Sequence, residues 1–287
     1  AGELEALEQL LAAREQADGL ARQHWRRLVL EQWGAAQFDP VHDAVVAEDS
    51  SRTPVGFAAL FEQGGFAAVH PDREGEGAGT ELLGWLERPA AKPGHKQHRQ
   101  LIAATNARAH ELLAAAGYRP VRSYLRMSID LSAALGSSAP PSGISFEAPD
   151  PEADEGELHT LDDVAFAGNA DYTPHSPELF RQEHLAAGRL APDLSLVARR
   201  AGRAVGMALC QRWPGQALMV DILAVAPEER RRGLGWSLLR SSFRIGAEAG
   251  LRQALLDVAS DNITARALYE HAGMVEAHRT DVLEKQA

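Results

Sequence analysis

The feature that most limits what this chain can fold into is a repeat. Pro227 lies 156 positions after Pro71, and the same offset carries Gly77 onto Gly233, Gly79 onto Gly235, Leu82-Leu83 onto Leu238-Leu239, Asn106 onto Asn262, Leu112 onto Leu268 and Gly117 onto Gly273. Two copies of one domain keep a constant offset through their shared core, whereas unrelated segments do not. The chain therefore reads as a tandem duplication. Ser132 to Gly143, rich in Ser, Ala, Gly and Pro, has the composition of a linker. The expected division is residues 1–131, a linker at 132–143, and residues 144–287. With 287 residues and 45% hydrophobic composition, each copy can build its own core.

Within the second copy, Ala217 to Val225 is an apolar, partly β-branched run that predicts a buried strand. The turn Ala226-Pro227-Glu228-Glu229-Arg230-Arg231-Arg232-Gly233-Leu234-Gly235 follows, and then Trp236, Leu238, Leu239 and Phe243 recur at helical spacing. Pro227 stops the strand, the glycines let backbone approach a ligand closely, and the first helical turn presents N–H groups with no partner inside the helix. Such an end attracts anions, and three arginines add fixed positive charge suited to bidentate contact. The plain alternative is a solvated basic turn ahead of a helix. Two other phosphate motifs are excluded. A Walker loop needs Lys-Ser/Thr where Trp236-Ser237 stands, and a dinucleotide fingerprint needs glycine at Leu238.

The order strand, Arg-x-x-Gly-x-Gly, helix resembles the acetyl-CoA loop of the GNAT superfamily of N-acetyltransferases. The later run Asn262-Ile263-Thr264-Ala265-Arg266-Ala267-Leu268-Tyr269-Glu270-His271-Ala272-Gly273-Met274 is similar to that superfamily's last characteristic helix. The resemblance implies an α/β fold with a mixed sheet, built as two tandem acyl-CoA N-acyltransferase domains, with acetyl-CoA as cosubstrate. It implies that the backbone of Leu223, Ala224 and Val225 pairs with the pantetheine arm. Arg230, Arg231, Arg232, Gly233, Leu234, Gly235 and Trp236 would receive the pyrophosphate, and Asn262 would complete the cofactor-binding set. Asn262 and Tyr269 are seven residues apart, about two helical turns, and share a face. Tyr269 is then the expected general acid toward the leaving thiolate, its alternative being an aromatic packed between helix and sheet. Asp221, a charge inside an apolar run and expected on the face of Leu223 and Val225, is the candidate base or else a salt-bridge partner. Asp257 is a weaker candidate. His159, His175 and His184 read as solvated or capping residues. No metal is expected, since neither a cysteine pair nor a His-Glu-x-x-His run is present.

The two copies differ where the chemistry would sit. Glu74 stands for Arg230, Glu76 for Arg232 and Leu113 for Tyr269. Carboxylates repel a diphosphate and leucine has no proton to give, so the first copy is expected to bind CoA poorly and to serve as a structural partner. An eroded first domain beside an intact second one is similar to the mycothiol synthase family, as is Ala165-Phe166-Ala167-Gly168-Asn169 after a helix. Met219 and Asp221 flank Val220, the strand position at which that family has an acidic residue. The expected activity is acetyl transfer from acetyl-CoA to a primary amine of a small molecule or peptide, with a non-catalytic acyl-CoA sensor as the other class.

A formal net charge of −11 argues against nucleic acid as partner. No apolar run reaches membrane-spanning length, so no membrane partner is expected. The single cysteine, Cys210, cannot form an intrachain disulfide, which makes a reducing cytoplasm the simplest compartment. Two GNAT copies in one chain predict a monomer with an internal pseudo-dimer. In the first copy, helices are expected over residues 3–16 and from Trp25 toward Gly34, and strands at Val41 to Ala47, Val55 to Phe61 and Gly65 to Val69. In the second, Ile144 to Phe146 opens as a strand, Glu157 to Phe166 and Pro177 to Ala187 are helices, and Ser176 is an N-cap ahead of Pro177.

Overall fold

The computed structural model describes residues 2–20, 25, 29, 38–61, 64–88, 97–132, 139–169 and 172–286. The helix expected from Trp25 toward Gly34 falls almost wholly outside the described residues, as do residues 133–138 of the linker. The first copy runs α1 (Gly2–Asp18), β1 (Ala44–Glu48), β2 (Pro54–Phe61), β3 (Gly64–Val69), α2 (Ala78–Leu86), β4 (Gln97–Ala103), α3 (Ala107–Ala115) and β5 (Arg119–Asp130). The second runs β6 (Ser145–Glu147), α4 (Glu155–Phe166), β7 (Leu196–Arg200), β8 (Arg203–Trp213), β9 (Ala217–Val225), α5 (Leu234–Glu248), β10 (Gln253–Ala259), α6 (Ile263–His271) and β11 (Val275–Gln286).

Two elements depart from the expected pattern for local reasons. Asp39 accepts a hydrogen bond from the N–H of Val41 at 3.0 Å and Pro40 takes the first helical position, so Pro40–Asp43 forms one helical turn and the first strand starts at Ala44. Ser176 caps Pro177–Phe180 by accepting from the N–H of Leu179 at 3.2 Å, but the segment continues as a π-helical turn, Arg181–Leu185, rather than as an α-helix to Ala187.

Close contacts divide the chain into two compact units, Ala1–Leu125 with Ala259–Asp261 and His278–Ala287, and Arg126–Val258 with Asn262–Ala277. These units are not simply the two repeats. In the first unit the strand order is β1-β2-β3-β4-β11-β5, and β11 pairs antiparallel with β4 from Thr280 opposite Ala103 to Gln286 opposite Gln97. Ser123 Oγ donates to Asp281 at 2.6 Å and Lys285 Nζ to Glu87 at 2.8 Å in the same unit. In the second unit the order is β5-β10-β9-β8-β7-β6. Strand alternation records which side chains face a core, but not which strand lies alongside, so this exchange of strand ends leaves no mark in the periodicity.

The repeat also appears where the numerical offset fails. Gly56 lies opposite Val69 in the first copy and Gly206 opposite Val225 in the second. A Cβ at Gly56 would come within 2.7 Å of Leu82 Cδ1, and one at Gly206 within 3.1 Å of Leu238 Cδ1. Leu82 and Leu238 are one repeat apart, while the glycines are not, because the intervening hairpins differ in length. Each glycine lets the helix after the loop sit down on the sheet. Gly206→Ala should therefore overpack the contact with Leu238, Leu234 and the carbonyl of Ala224, lowering unfolding free energy by about 1–3 kcal/mol in a denaturant titration. The core beneath includes Leu158, Phe180, Val197, Met207, Leu209, Leu234 and Leu238, all almost fully buried.

Candidate active site

In the second copy, β9 ends in a 3-10 turn, Pro227–Glu229, after which Arg230 is extended and Arg231 and Gly233 take left-handed backbone at φ +59° and +81°. Gly75 and Gly77 repeat these conformations in the first copy, at φ +85° and +100°. Arg231 thus holds a shape that glycine adopts freely and that costs other residues roughly 1–2 kcal/mol, the kind of strain found at ligand-binding turns. No side chain caps α5, so its first N–H groups stay available to an anion. Arg230 donates to two backbone carbonyls, Ala165 at 2.6 Å and Val225 at 3.2 Å, tying the end of α4 to the strand. Arg232 is largely exposed, with Glu229 at 3.4 Å, and Glu229 is itself gripped by Arg200 at 2.7 and 3.1 Å. Leu234 is buried in the core, Gly235 lies against Leu268 and Val225, and Trp236 stands 6.4 Å from the ring of His271.

Leu223, Ala224 and Val225 pair with Ala208, Met207 and Gly206 of β8. On the other side, the parallel pairing of β9 with β10 covers only Ala217 to Met219 among the described residues. Beyond Met219 the two strands therefore part, and the β10 side of Leu223 to Val225 is an open edge of N–H and C=O groups.

Asn262 is the N-cap of α6, its side-chain oxygen accepting from the N–H of Ala265 at 3.1 Å, as Asn106 does for α3 with Ala109 at 3.0 Å. Its amide is thus engaged in holding the helix. Tyr269 is 8% exposed, and burial pushes its hydroxyl up to about 12, so the phenol keeps its proton throughout the physiological range. Asp257 is removed as a base candidate. Arg126, buried at 3% exposure, holds it with Nε at 2.5 Å and Nη2 at 2.6 Å, a bidentate pair across β5 and β10.

Asp221 occupies a β-bulge. Leu209 lies opposite Ile222 and Cys210 opposite Val220, leaving Asp221 with no partner in the register. The bulge interrupts the alternation on the Val220 side, while Asp221, Leu223 and Val225 remain the less buried positions between the buried Ile222 and Ala224, as expected. Asp221 Oδ2 lies 2.7 Å from Nδ1 of His184, on the π-helical turn. Burial lowers the affinity of His184 for its proton, but the hydrogen bond to Asp221 and the charges of Asp221, Asp162 and Glu183 outweigh it, so its pKa is raised above the ordinary value. The reading of His184 as solvated or capping is thus corrected, since its side chain is mostly buried and paired with a carboxylate. A lone charge in an apolar strand is the signal that called for such a partner. Its identity depended on a π turn that no sequence period announces.

Around this pair sits a polar cluster from α4 and the loop after it. His159 Nε2 meets the carbonyl of His175 at 2.8 Å, and the rings of His175 and His184 are 5.9 Å apart. The Tyr172 hydroxyl lies 3.0 Å from Asp162 and 2.5 Å from Asp163. Asp162 is buried, which raises its carboxyl, with the Tyr172 hydrogen bond and the nearby histidines opposing.

The first copy repeats the loop backbone and the helix cap with different side chains. A cavity of about 680 Å³ lies there, lined among others by Phe66, Val69, Gly77, Gln100 and Asn106. Its loop carboxylates are not bare. Glu74 is paired with the buried Arg14 and lies 3.6 Å from Arg108, while Glu76 accepts from Arg73 Nε at 2.9 Å. Leu113, in the position of Tyr269, is buried among Leu83, Ile102 and Leu283.

The sequence model of the Acetyltransferase (GNAT) family matches this chain twice, over residues 4–118 and 158–274. The chain is 33% identical over 254 residues to the mycothiol acetyltransferase of Clavibacter michiganensis, covering 81% of this chain and 77% of that protein. It is 28% identical over 285 residues to the mycothiol acetyltransferase of Thermobispora bispora, covering 95% and 92%. Among solved structures, a GCN5-related N-acetyltransferase from Sphaerobacter thermophilus superposes with a TM-score of 0.81 at 27% identity over 98% of this chain and 91% of that one. A tandem GNAT protein from the clavulanic acid biosynthesis pathway has the same fold, with a TM-score of 0.72 at 17% identity over 99% and 94%. No helix among the described residues is long and apolar enough to cross a membrane. With both copies matched, and with curated relatives that are acetyltransferases along most of their length, the chain belongs to the Acetyltransferase (GNAT) family and is an acyl-CoA-dependent N-acetyltransferase.

Proposed function

We propose that the second copy is the active one and that it transfers acetyl from acetyl-CoA to a primary amine of a small molecule. The observation that carries this reading is the uncapped end of α5 behind Arg230, Arg231 and Arg232, beside a strand whose edge is open from Val220 onward. The α5 N–H groups and the exposed Arg232 would receive the pyrophosphate, and the backbone of Leu223 to Val225 the pantetheine amides. The thioester supplies the activated acetyl group. His184 accepts the proton of the attacking amine on Nε2, while Asp221 at Nδ1 holds the tautomer and balances the charge that forms. Tyr269 donates toward the departing sulfur. The curated relatives are named for mycothiol, which supports an acceptor amine of the mycothiol type.

The test is thiol release from acetyl-CoA across a panel of amines that includes the deacetylated form of mycothiol. Release with an amine of that type, and none without amine, is expected. No release with any amine would favour a protein that binds acyl-CoA without turning it over.

Cofactor binding has its own test. Calorimetry should find one CoA per chain, and Arg232→Glu should weaken it about 10- to 100-fold, the worth of one charge-assisted contact. Glu74→Gln should leave both affinity and stoichiometry unchanged. Two equal sites in the wild type would sink the assignment to the second copy.

A further inference from the structure

We propose that His175, Glu183 and His184 form a binding site for a divalent transition-metal ion, best matched by Zn²⁺, whose occupation takes away the nitrogen that serves as base. One ligand atom from each of the three residues lies within 4.8 Å of the other two. Nε2 of His175 and Nε2 of His184 are each 3.9 Å from Oε2 of Glu183. Bonds of about 2.0–2.2 Å to one ion would place such atoms roughly 3.5 Å apart, so the two edges to Glu183 close by about half an ångström and the His175–His184 edge by about 1.3 Å at most. Glu183, 42% exposed, has the freedom to make that adjustment.

One of the three ligands is supported from behind as in a built site. Asp221 holds His184 at Nδ1, which turns Nε2 toward Glu183 and raises its basicity, the carboxylate–histidine arrangement found behind many metal ligands. The backbone at His175 is held by His159, whose Nε2 meets its carbonyl at 2.8 Å, which places the His175 ring 5.9 Å from that of His184. Two imidazoles and a carboxylate suit zinc, copper or nickel and not calcium or magnesium, which prefer oxygen. Three protein ligands leave a coordination position open. The sequence expectation of no metal rested on spacing, and these residues have no recognised spacing. The π turn Arg181–Leu185 and the loop before it bring them together.

The Nε2 lone pair of His184 cannot hold a metal ion and accept a proton from an amine at the same time. Zn²⁺ at this site therefore suppresses acetyl transfer, a consequence that rests on the proposed function, whereas the binding itself does not. On the full-length chain, titration with ZnCl₂ alone is expected to show one ion per chain. His175→Ala and Glu183→Gln should each weaken it at least 10-fold, with circular dichroism confirming the fold of both. Co²⁺ in place of Zn²⁺ should produce a visible absorption band that is lost in both variants. No bound ion, or binding that neither variant changes, overturns the site even if the protein acetylates amines. Stoichiometric Zn²⁺ binding with an unchanged transfer rate overturns the blocking of the base. Zn²⁺ bound to a chain that acetylates nothing leaves the metal site standing and removes the function reading instead.

Discussion

Tyr269→Phe is expected to lower kcat by about 10²-fold while CoA affinity stays at the wild-type value. The phenylalanine ring keeps the buried volume of α6, so only the hydroxyl is lost. Burial holds the phenol at about 12, well above the usual thiol value near 8.5. Complete proton transfer to the leaving thiolate is therefore uphill, and the hydroxyl acts chiefly as a hydrogen-bond donor while charge builds on sulfur. Such a bond to a charged atom is worth about 1.5–3 kcal/mol, or roughly 10- to 150-fold in rate, which sets the size of the effect. The loss belongs in kcat and kcat/KM together, because the ground-state thioester sulfur carries little charge. A change of less than threefold with an amine that the wild type acetylates would return Tyr269 to a packing role. Leu113→Tyr should create no activity in the first copy, where the loop carries Glu74 in place of Arg230.

Removing the base should cost more. His184→Gln is expected to reduce kcat/KM by 10²- to 10⁴-fold, the usual range for a positioned general base. The pH profile separates this role from a structural one. His184 must be unprotonated to act, and its pKa is raised, so the wild-type rate should fall as pH drops below a midpoint above the ordinary value of about 6.5. Asp221→Asn removes the partner that raises this pKa, so the midpoint should move down and the plateau rate should fall with it. In His184→Gln the inflection should vanish. Stability runs in the opposite sense. A folded pKa above the unfolded one contributes stability that is fully present below the unfolded pKa and is lost as pH rises through the folded pKa. The unfolding free energy of the wild type should therefore exceed that of His184→Gln most clearly in mildly acidic solution and converge with it at alkaline pH. A rate profile identical in shape for wild type and His184→Gln would remove the histidine from the chemistry.

Much of this protein could be read without coordinates because its signals are local. The repeat showed itself through Pro71 and Pro227, Gly77 and Gly233, and Asn106 and Asn262, residues that each do a job within their own turn. They stop a strand, take a left-handed backbone or cap a helix, and those jobs depend on neighbours a few positions away. The phosphate-type loop and the amphipathic helix after it are equally short-range. What the tertiary structure alone decided involves partners far apart in the chain. Asp221 and His184 are 37 residues apart and meet because a π turn brings His184 to the bulged position of Asp221. Asp257 lost its place as a candidate base to Arg126, 131 residues away. Arg14, 60 residues from Glu74, neutralises a carboxylate that looked repulsive in the sequence. The end of β11 joins β4 because a strand's hydrogen-bonding edge accepts any strand in register, and the chain's periodicity does not name which one. Propensity and turn chemistry are written in adjacent residues, whereas the pairing of charges and of strand edges is a choice among distant ones that only the packed chain makes.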